Sequence, residues 1–306
     1  MKHNIKITIL LLAMFFITQM IGLFVISRYA PEIKQITDSS GNVTNITSYN
    51  LPYGMDPPEG VTPQSTLISI VFAIAIAVFL MLFLMKYRAE IFLRIWFFVV
   101  VILALGITFN SFLLKIPNSS FIAIIVAIPI AIFKIFKRNI IVHNVSELLI
   151  YPGIASIFVP LLNIWSIVLL LILISAYDIY AVWHAGFMQK MAQYQIEKLK
   201  VFTGFFIPYL GKKQRAEIKN AKLSKSKDKK VKVSLAILGG GDVVFPLILA
   251  GVVFNTLGLL PAIVVSIFST MALAYLFYTS EKGKFYPAMP FITTGSFIGL
   301  LIAYLI

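Results

Sequence analysis

Leu238-Gly239-Gly240-Gly241-Asp242 lies inside an apolar segment that runs from about Val233 to Phe254. The segment is long enough to cross a bilayer, which takes about 20 apolar residues. It nevertheless carries three glycines, a carboxylate and then Pro246. A charge and a loosened backbone are both expensive in hydrocarbon, so an acid placed there reads as a functional group whose partner has to be found. Pro246 lacks the N–H that would bond the carbonyl of Asp242, four residues back, and the sequence predicts a helix that bends or loosens at the acid. Without side chains at 239–241, another backbone can come close to Asp242.

The 306-residue chain is 59% hydrophobic and only 12% charged. That is too apolar for one soluble core and points to an all-α membrane protein, a single polytopic unit over 1–306. The chain has no cysteine, which excludes a disulfide framework, a thiol nucleophile and a Cys metal site. Nine apolar stretches are long enough to span, near 5–27, 64–85, 91–113, 119–136, 139–159, 161–185, 233–254, 257–279 and 286–306. The first is longer than a signal-peptide core and has no small-x-small cleavage site, so it reads as a span. Spans one to six fall within 1–186, a long loop covers 187–232, and spans seven to nine fall within 233–306.

Basic residues set the expected orientation. With the N-terminus inside, 23 of the 26 Lys and Arg lie on the inner side, and only Arg28, Lys34 and Lys115 lie outside. This positive-inside split predicts nine transmembrane helices, N-terminus cytoplasmic and C-terminus outside, in a multi-pass protein of the cell membrane. The inner set includes Lys134, Lys137 and Arg138 as one loop group and thirteen residues between Lys190 and Lys232. The net charge of +14 therefore reads as topogenic, next to anionic lipid, and not as a nucleic-acid surface. The outer loop at 28–63 is turn-rich and holds the sequons Asn42-Val43-Thr44 and Asn45-Ile46-Thr47.

Within the inner loop, 187–201 reads as a helix that extends span six or lies in the interface. Residues 202–210 are apolar but too short to span, and 211–230 are Lys-rich. Lys230-Val231-Lys232-Val233-Ser234-Leu235 alternates strictly. This is either a strand able to pair with an extended peptide at its edge, or the frayed start of span seven.

Only Glu147, Asp178 and Asp242 are acids within spans. Asp178 is seven residues from the inner end of span six, and Asp242 is nine residues into span seven. At about 1.5 Å per residue both sit roughly 10–14 Å below the inner surface, on consecutive antiparallel spans. Two carboxylates facing each other at low dielectric share one proton. One can then take a proton from water while the other polarises a scissile carbonyl, which is aspartic-protease chemistry. A proton or cation pathway uses the same residue types. The glycines favour the protease, because a helical substrate must be unwound and brought close.

Tyr177-Asp178 in span six, Gly239-Gly240-Gly241-Asp242 in span seven and Pro287-Ala288-Met289 at the start of span nine together resemble the presenilin and signal peptide peptidase family, the GxGD intramembrane aspartyl proteases. The resemblance implies a presenilin-like fold of nine spans, with an archaeal or other prokaryotic homologue best fitting the short loops. It implies that Asp178 and Asp242 are catalytic and that Tyr177 lines the site. Gly239, Gly240 and Gly241 would admit substrate, and Pro287, Ala288 and Met289 would pack against the centre. Met289 replaces the family's Leu at nearly the same volume. A strand before span seven is implied as well. The expected partners are transmembrane protein or peptide substrates and the lipid bilayer, with no nucleic acid; a homo-oligomer is possible. No cofactor or metal is expected.

Prepilin-type GxGD peptidases are smaller and usually carry a Lys two residues after the acid, whereas Val244 stands here. His143 and Glu147, four apart on one helix face, read as a polar patch near the inner end of span five. HExxH and GxSG are absent, which argues against zinc and serine intramembrane proteases. Thr293, Thr294, Gly295 and Ser296 read as a small-residue packing face.

Overall fold

A computed structural model describes residues 5–37, 43–58, 62–87, 89–137, 139–185, 194, 198–199, 201–209, 234–281 and 286–306. Helices α1 (Ile5–Arg28), α2 (Pro63–Lys86), α3 (Glu90–Leu113), α4 (Ser119–Phe136), α5 (Ile140–Phe158) and α6 (Ile164–Tyr180) form the first part of the bundle. Helices α7 (Gly240–Leu257), α8 (Leu259–Thr279) and α9 (Met289–Ala303) complete it. Among the described residues eight helices are long and apolar enough to cross a membrane, and α9 is a shorter apolar helix of 15 residues. The protein is therefore a mostly helical, multi-pass membrane protein.

Local sequence sets the boundaries. Thr62, Asn139 and Asn163 accept N–H bonds from the first turns of α2, α5 and α6, satisfying donors that a helix start leaves open. Gly258, at φ 100°, separates α7 from α8 with a conformation that L side chains rarely adopt.

Strands modify the all-α expectation. β1 (Glu32–Thr37) and β2 (Val43–Ser48) form one antiparallel pair. β3 (Gly204–Tyr209) and β4 (Ser234–Gly239) form another, in the register Gly204↔Gly239 to Tyr209↔Ser234. The apolar stretch at 202–210 is thus β3. Span seven also needs correction, because its first residues are β4 and the helix starts only at Gly240. An apolar run of this length is compatible with either a buried strand or a helix start, and the glycines end the strand. The inner-loop helix expected at 187–201, the Lys-rich 211–230 and the first sequon's Asn42 lie largely or wholly outside the described residues.

One apolar core joins α1, α5, α6, α7, α8 and α9 with the sheet residues Phe205, Ala236 and Leu238. A second joins α3, α4 and α5 with Leu199 and Val201. α8 and α9 lie close: a Cβ on Gly295 would stand 2.6 Å from the Phe268 carbonyl oxygen, and one on Gly299 would stand 2.9 Å from the Val265 Cα. Ser296 and Ser269 bond across the same seam at 2.7 Å. Of the expected packing face, Gly295 and Ser296 lie at this seam, Thr293 bonds to α6 instead, and Thr294 is exposed.

Candidate active site

Asp178 is two residues from the end of α6 and is buried. Its carboxylate accepts a hydrogen bond from the Met289 N–H at 3.0 Å and is also reached by the Ala288 N–H. Ala288 is the N-cap of α9 and has no side chain able to cap it. The acid from α6 supplies that cap, with its negative charge at the positive end of the helix. Pro290 fits in the same first turn because its missing N–H is one that the helix does not use. Three residues before Asp178, the Ser175 hydroxyl donates to Thr293 Oγ1 on α9 at 2.9 Å. Tyr177 is half-buried beside the acid. After Tyr180 the helix widens into a π turn at Ala181–Ala185, a distortion often found at functional sites.

Asp242 is the third residue of α7, whose N-cap is Gly239. Its carboxylate folds back onto the Gly239 N–H, one half of the reciprocal bonding of a capping box. The glycines have separate reasons to be small. A Cβ on Gly239 would stand 3.0 Å from Asp242 Oδ2, and one on Gly240 would stand 2.8 Å from the Tyr151 hydroxyl of α5. Gly241 is exposed, and a Cβ there would meet only the Phe245 ring, at 3.6 Å. The helix is continuous through Pro246, so the looseness expected at the acid appears instead as the strand-to-helix turn just before it. The Gln19 side chain of α1 donates to the Val243 carbonyl at 3.1 Å.

These three stretches, far apart in sequence, meet in one place. The Asp178 and Asp242 carboxylates are close enough to feel each other's charge. Asp178 is covered, whereas Asp242 retains some exposure. Pro287 and Met289 are buried, and Ala288 is partly covered. Among the described residues no group of three or more His, Asp or Glu side chains is arranged to hold a metal ion.

Residues 51–306 match the family described as signal-peptide peptidase, presenilin aspartyl protease. The chain belongs to this family. Two solved structures share its fold, both described as a presenilin family intramembrane aspartate protease. One, in a C222 crystal form, is 18% identical, with a TM-score of 0.60 over 97% of this chain and 98% of that one. The other, in a P2 form, is 18% identical, with a TM-score of 0.57 over 96% of each chain. No individually curated protein matches.

Lys134 is the residue that sequence reading missed. It lies within α4 and not in the loop beyond it. Its side chain is buried in an ion pair with Glu147, and each side chain is only 2% exposed. His143 lies against the same pair, with Nδ1 at 3.2 Å from Lys134 Nζ. The available signal was helical spacing, since Lys134 is three residues before Lys137 and so one turn inside the end of α4. The Tyr151 hydroxyl, four residues after Glu147, is buried between Glu147 and the Gly240 turn without a hydrogen bond of ordinary geometry.

Proposed function

We propose that this family member is an intramembrane aspartic endopeptidase that hydrolyses peptide bonds within transmembrane segments of other membrane proteins, with Asp178 and Asp242 as its catalytic pair. The observation that carries this reading is the meeting of the two carboxylates within electrostatic reach, each aimed by backbone N–H groups of a glycine or proline motif. In this mechanism the ionised member of the pair takes a proton from water, and the water oxygen attacks the scissile carbonyl. The protonated member gives its proton to the carbonyl oxygen. In the collapse of the gem-diol the roles exchange: the acid that took the water's proton gives it to the leaving amine as the C–N bond breaks, and the other acid takes a proton from a diol hydroxyl, which restores the starting state. No cofactor or metal takes part.

Tyr177, Gly239, Gly240, Gly241, Pro287, Ala288 and Met289 support the pair. The exposed Gly241, with only the Phe245 ring beside it, suits the approach of a substrate backbone. The unwound substrate adds to the sheet at β4. The outer edge of β3 is already occupied, because His143 and Asn144 bond Gly204 and Phe206, and Pro208 has no N–H to offer. Among the described residues β4 pairs only with β3, which leaves its other edge for an extended peptide. The chain is a single polytopic unit of nine spans in the cell membrane, α9 included, with its N-terminus cytoplasmic and its C-terminus outside.

A hydroxyl-bearing transition-state isostere tests the reading. It is expected to block cleavage and to bind wild-type protein but not Asp178→Asn or Asp242→Asn. A proton or cation pathway built on the same acids would ignore it, and ion flux unaffected by saturating isostere would overturn the protease reading.

A further inference from the structure

The sheet that carries Gly239 is fastened to the bundle by side chains outside the catalytic motifs. His143 Nε2 lies 2.8 Å from the Gly204 carbonyl oxygen. A carbonyl only accepts, so Nε2 carries the proton. The Lys134 ammonium only donates, so Nδ1 is the acceptor of its 3.2 Å contact. Glu147 pairs with Lys134 and lies on the same face of α5 as His143, one turn away. The buried ion pair therefore fixes both the tautomer and the direction of the imidazole. Asn144 makes the adjoining contact: its Nδ2 donates to the Phe206 carbonyl at 2.9 Å, and its Oδ1 accepts from the Phe206 N–H at 3.1 Å.

These bonds act at the residues that matter for Asp242. Gly204 is the register partner of Gly239, and Gly239 is both the N-cap of α7 and the backbone donor to the Asp242 carboxylate. Displacing β3 displaces β4, the Gly239 N–H and the carboxylate that it holds.

We propose that His143 and Asn144 are positioning residues for the hydrolysis: anchored by the Lys134–Glu147 pair, they clamp β3 to α5 and thereby set the Gly239–Asp242 turn. The inference rests on the protease reading for its catalytic part and on geometry alone for the clamp. The clamp contributes to kcat by placing Asp242, and it contributes little to the apparent affinity for a substrate held at the opposite edge of the sheet.

The test compares wild type, His143→Leu, His143→Gln and Asn144→Leu, each as full-length protein in lipid nanodiscs. Two quantities are read: cleavage of a single-span substrate, and deuterium exchange of the peptides covering 204–209 and 234–241. Leu at either position is expected to lower kcat by about tenfold or more, because a full ångström of misplacement of a reacting group costs about 100-fold and the clamp acts on Asp242 at one remove. KM should stay within about threefold of wild type, and exchange in both strands should be faster. Gln offers both a donor for Gly204 and an acceptor for Lys134, so His143→Gln should recover most of both signals.

Exchange at the wild-type rate in His143→Leu and Asn144→Leu would overturn the clamp. Faster exchange with unchanged kcat would overturn its positioning role, as would a folded His143→Gln that is as impaired as His143→Leu. Should His143→Leu not fold, Asn144→Leu decides by the same criteria. A wild-type protein that cleaves nothing, yet whose sheet exchanges faster in the Leu variants, would support the clamp and count against the protease reading.

Discussion

Asp178 takes its hydrogen bond from a helix start 111 residues later in the chain, whereas Asp242 takes its bond from Gly239, three residues back. The first acid sits near the end of a continuous helix and is held by packing against another. The second is placed by a local turn in which strand becomes helix. One half of the candidate site is therefore tertiary in origin and the other mostly backbone. The local half is still not independent, because the turn is clamped through β3 to the buried Lys134–His143–Glu147 cluster. Substitutions can separate these kinds of support.

The largest effect is expected at the cluster. Lys134→Met leaves Glu147 buried and uncompensated, a change that costs about 3–5 kcal/mol. Denaturant unfolding in detergent should show this loss. Lys134→Met combined with Glu147→Leu should recover most of it, since a well-packed apolar pair replaces a buried ion pair at little or no cost.

Next comes the local half. Gly240→Ala puts a Cβ 2.8 Å from the Tyr151 hydroxyl and 3.0 Å from a ring carbon, so either α5 or the turn must shift. Cleavage is expected to fall about 100-fold, as ångström-scale misplacement of a reacting group does. Adding Tyr151→Phe removes the nearest atom, and the double variant should cleave faster than Gly240→Ala alone. A Gly240→Ala enzyme as active as wild type would mean that this turn is not what places Asp242.

The tertiary half should respond more gently. Thr293→Val removes the acceptor of the Ser175 hydroxyl and should cost about 1 kcal/mol of stability, with cleavage reduced but present. Met289→Leu is the smallest change, because the Asp178 bond uses the Met289 backbone and the volumes nearly match. It should cost less than about 1.5 kcal/mol and leave cleavage close to wild type.

Much of this arrangement was legible in the sequence. Long apolar stretches gave the helices, and exhaustive counting of acids inside them singled out Asp178 and Asp242. The Pro287–Met289 stretch was recognisable as a motif, although its use as a helix start capped by Asp178 needed the structure. The start of α7 is harder to read: Lys230 to Leu235 alternates and is open to a strand or a frayed helix start, while Ala236 to Leu238 is apolar, and hydropathy alone does not separate a buried strand from a helix. Helical rise consequently does not give the depth of Asp242, because 234–239 are strand. Lys134 reads as a loop residue in the sequence because positive charge near a span end is ordinarily topogenic. Only its contact with Glu147 and His143 of α5 reveals it as a buried partner. The pairing of β3 with β4 is equally hidden, since it joins residues 25 to 35 positions apart in the chain.

The central claim is that Asp178 and Asp242 act as one catalytic pair. The most direct measurement is cleavage of a reconstituted single-span substrate by purified wild-type protein, Asp178→Ala and Asp242→Ala, with product masses read to locate the cut. The account predicts cleavage within the transmembrane segment by wild type and none by either variant. Cleavage that survives either substitution would contradict it.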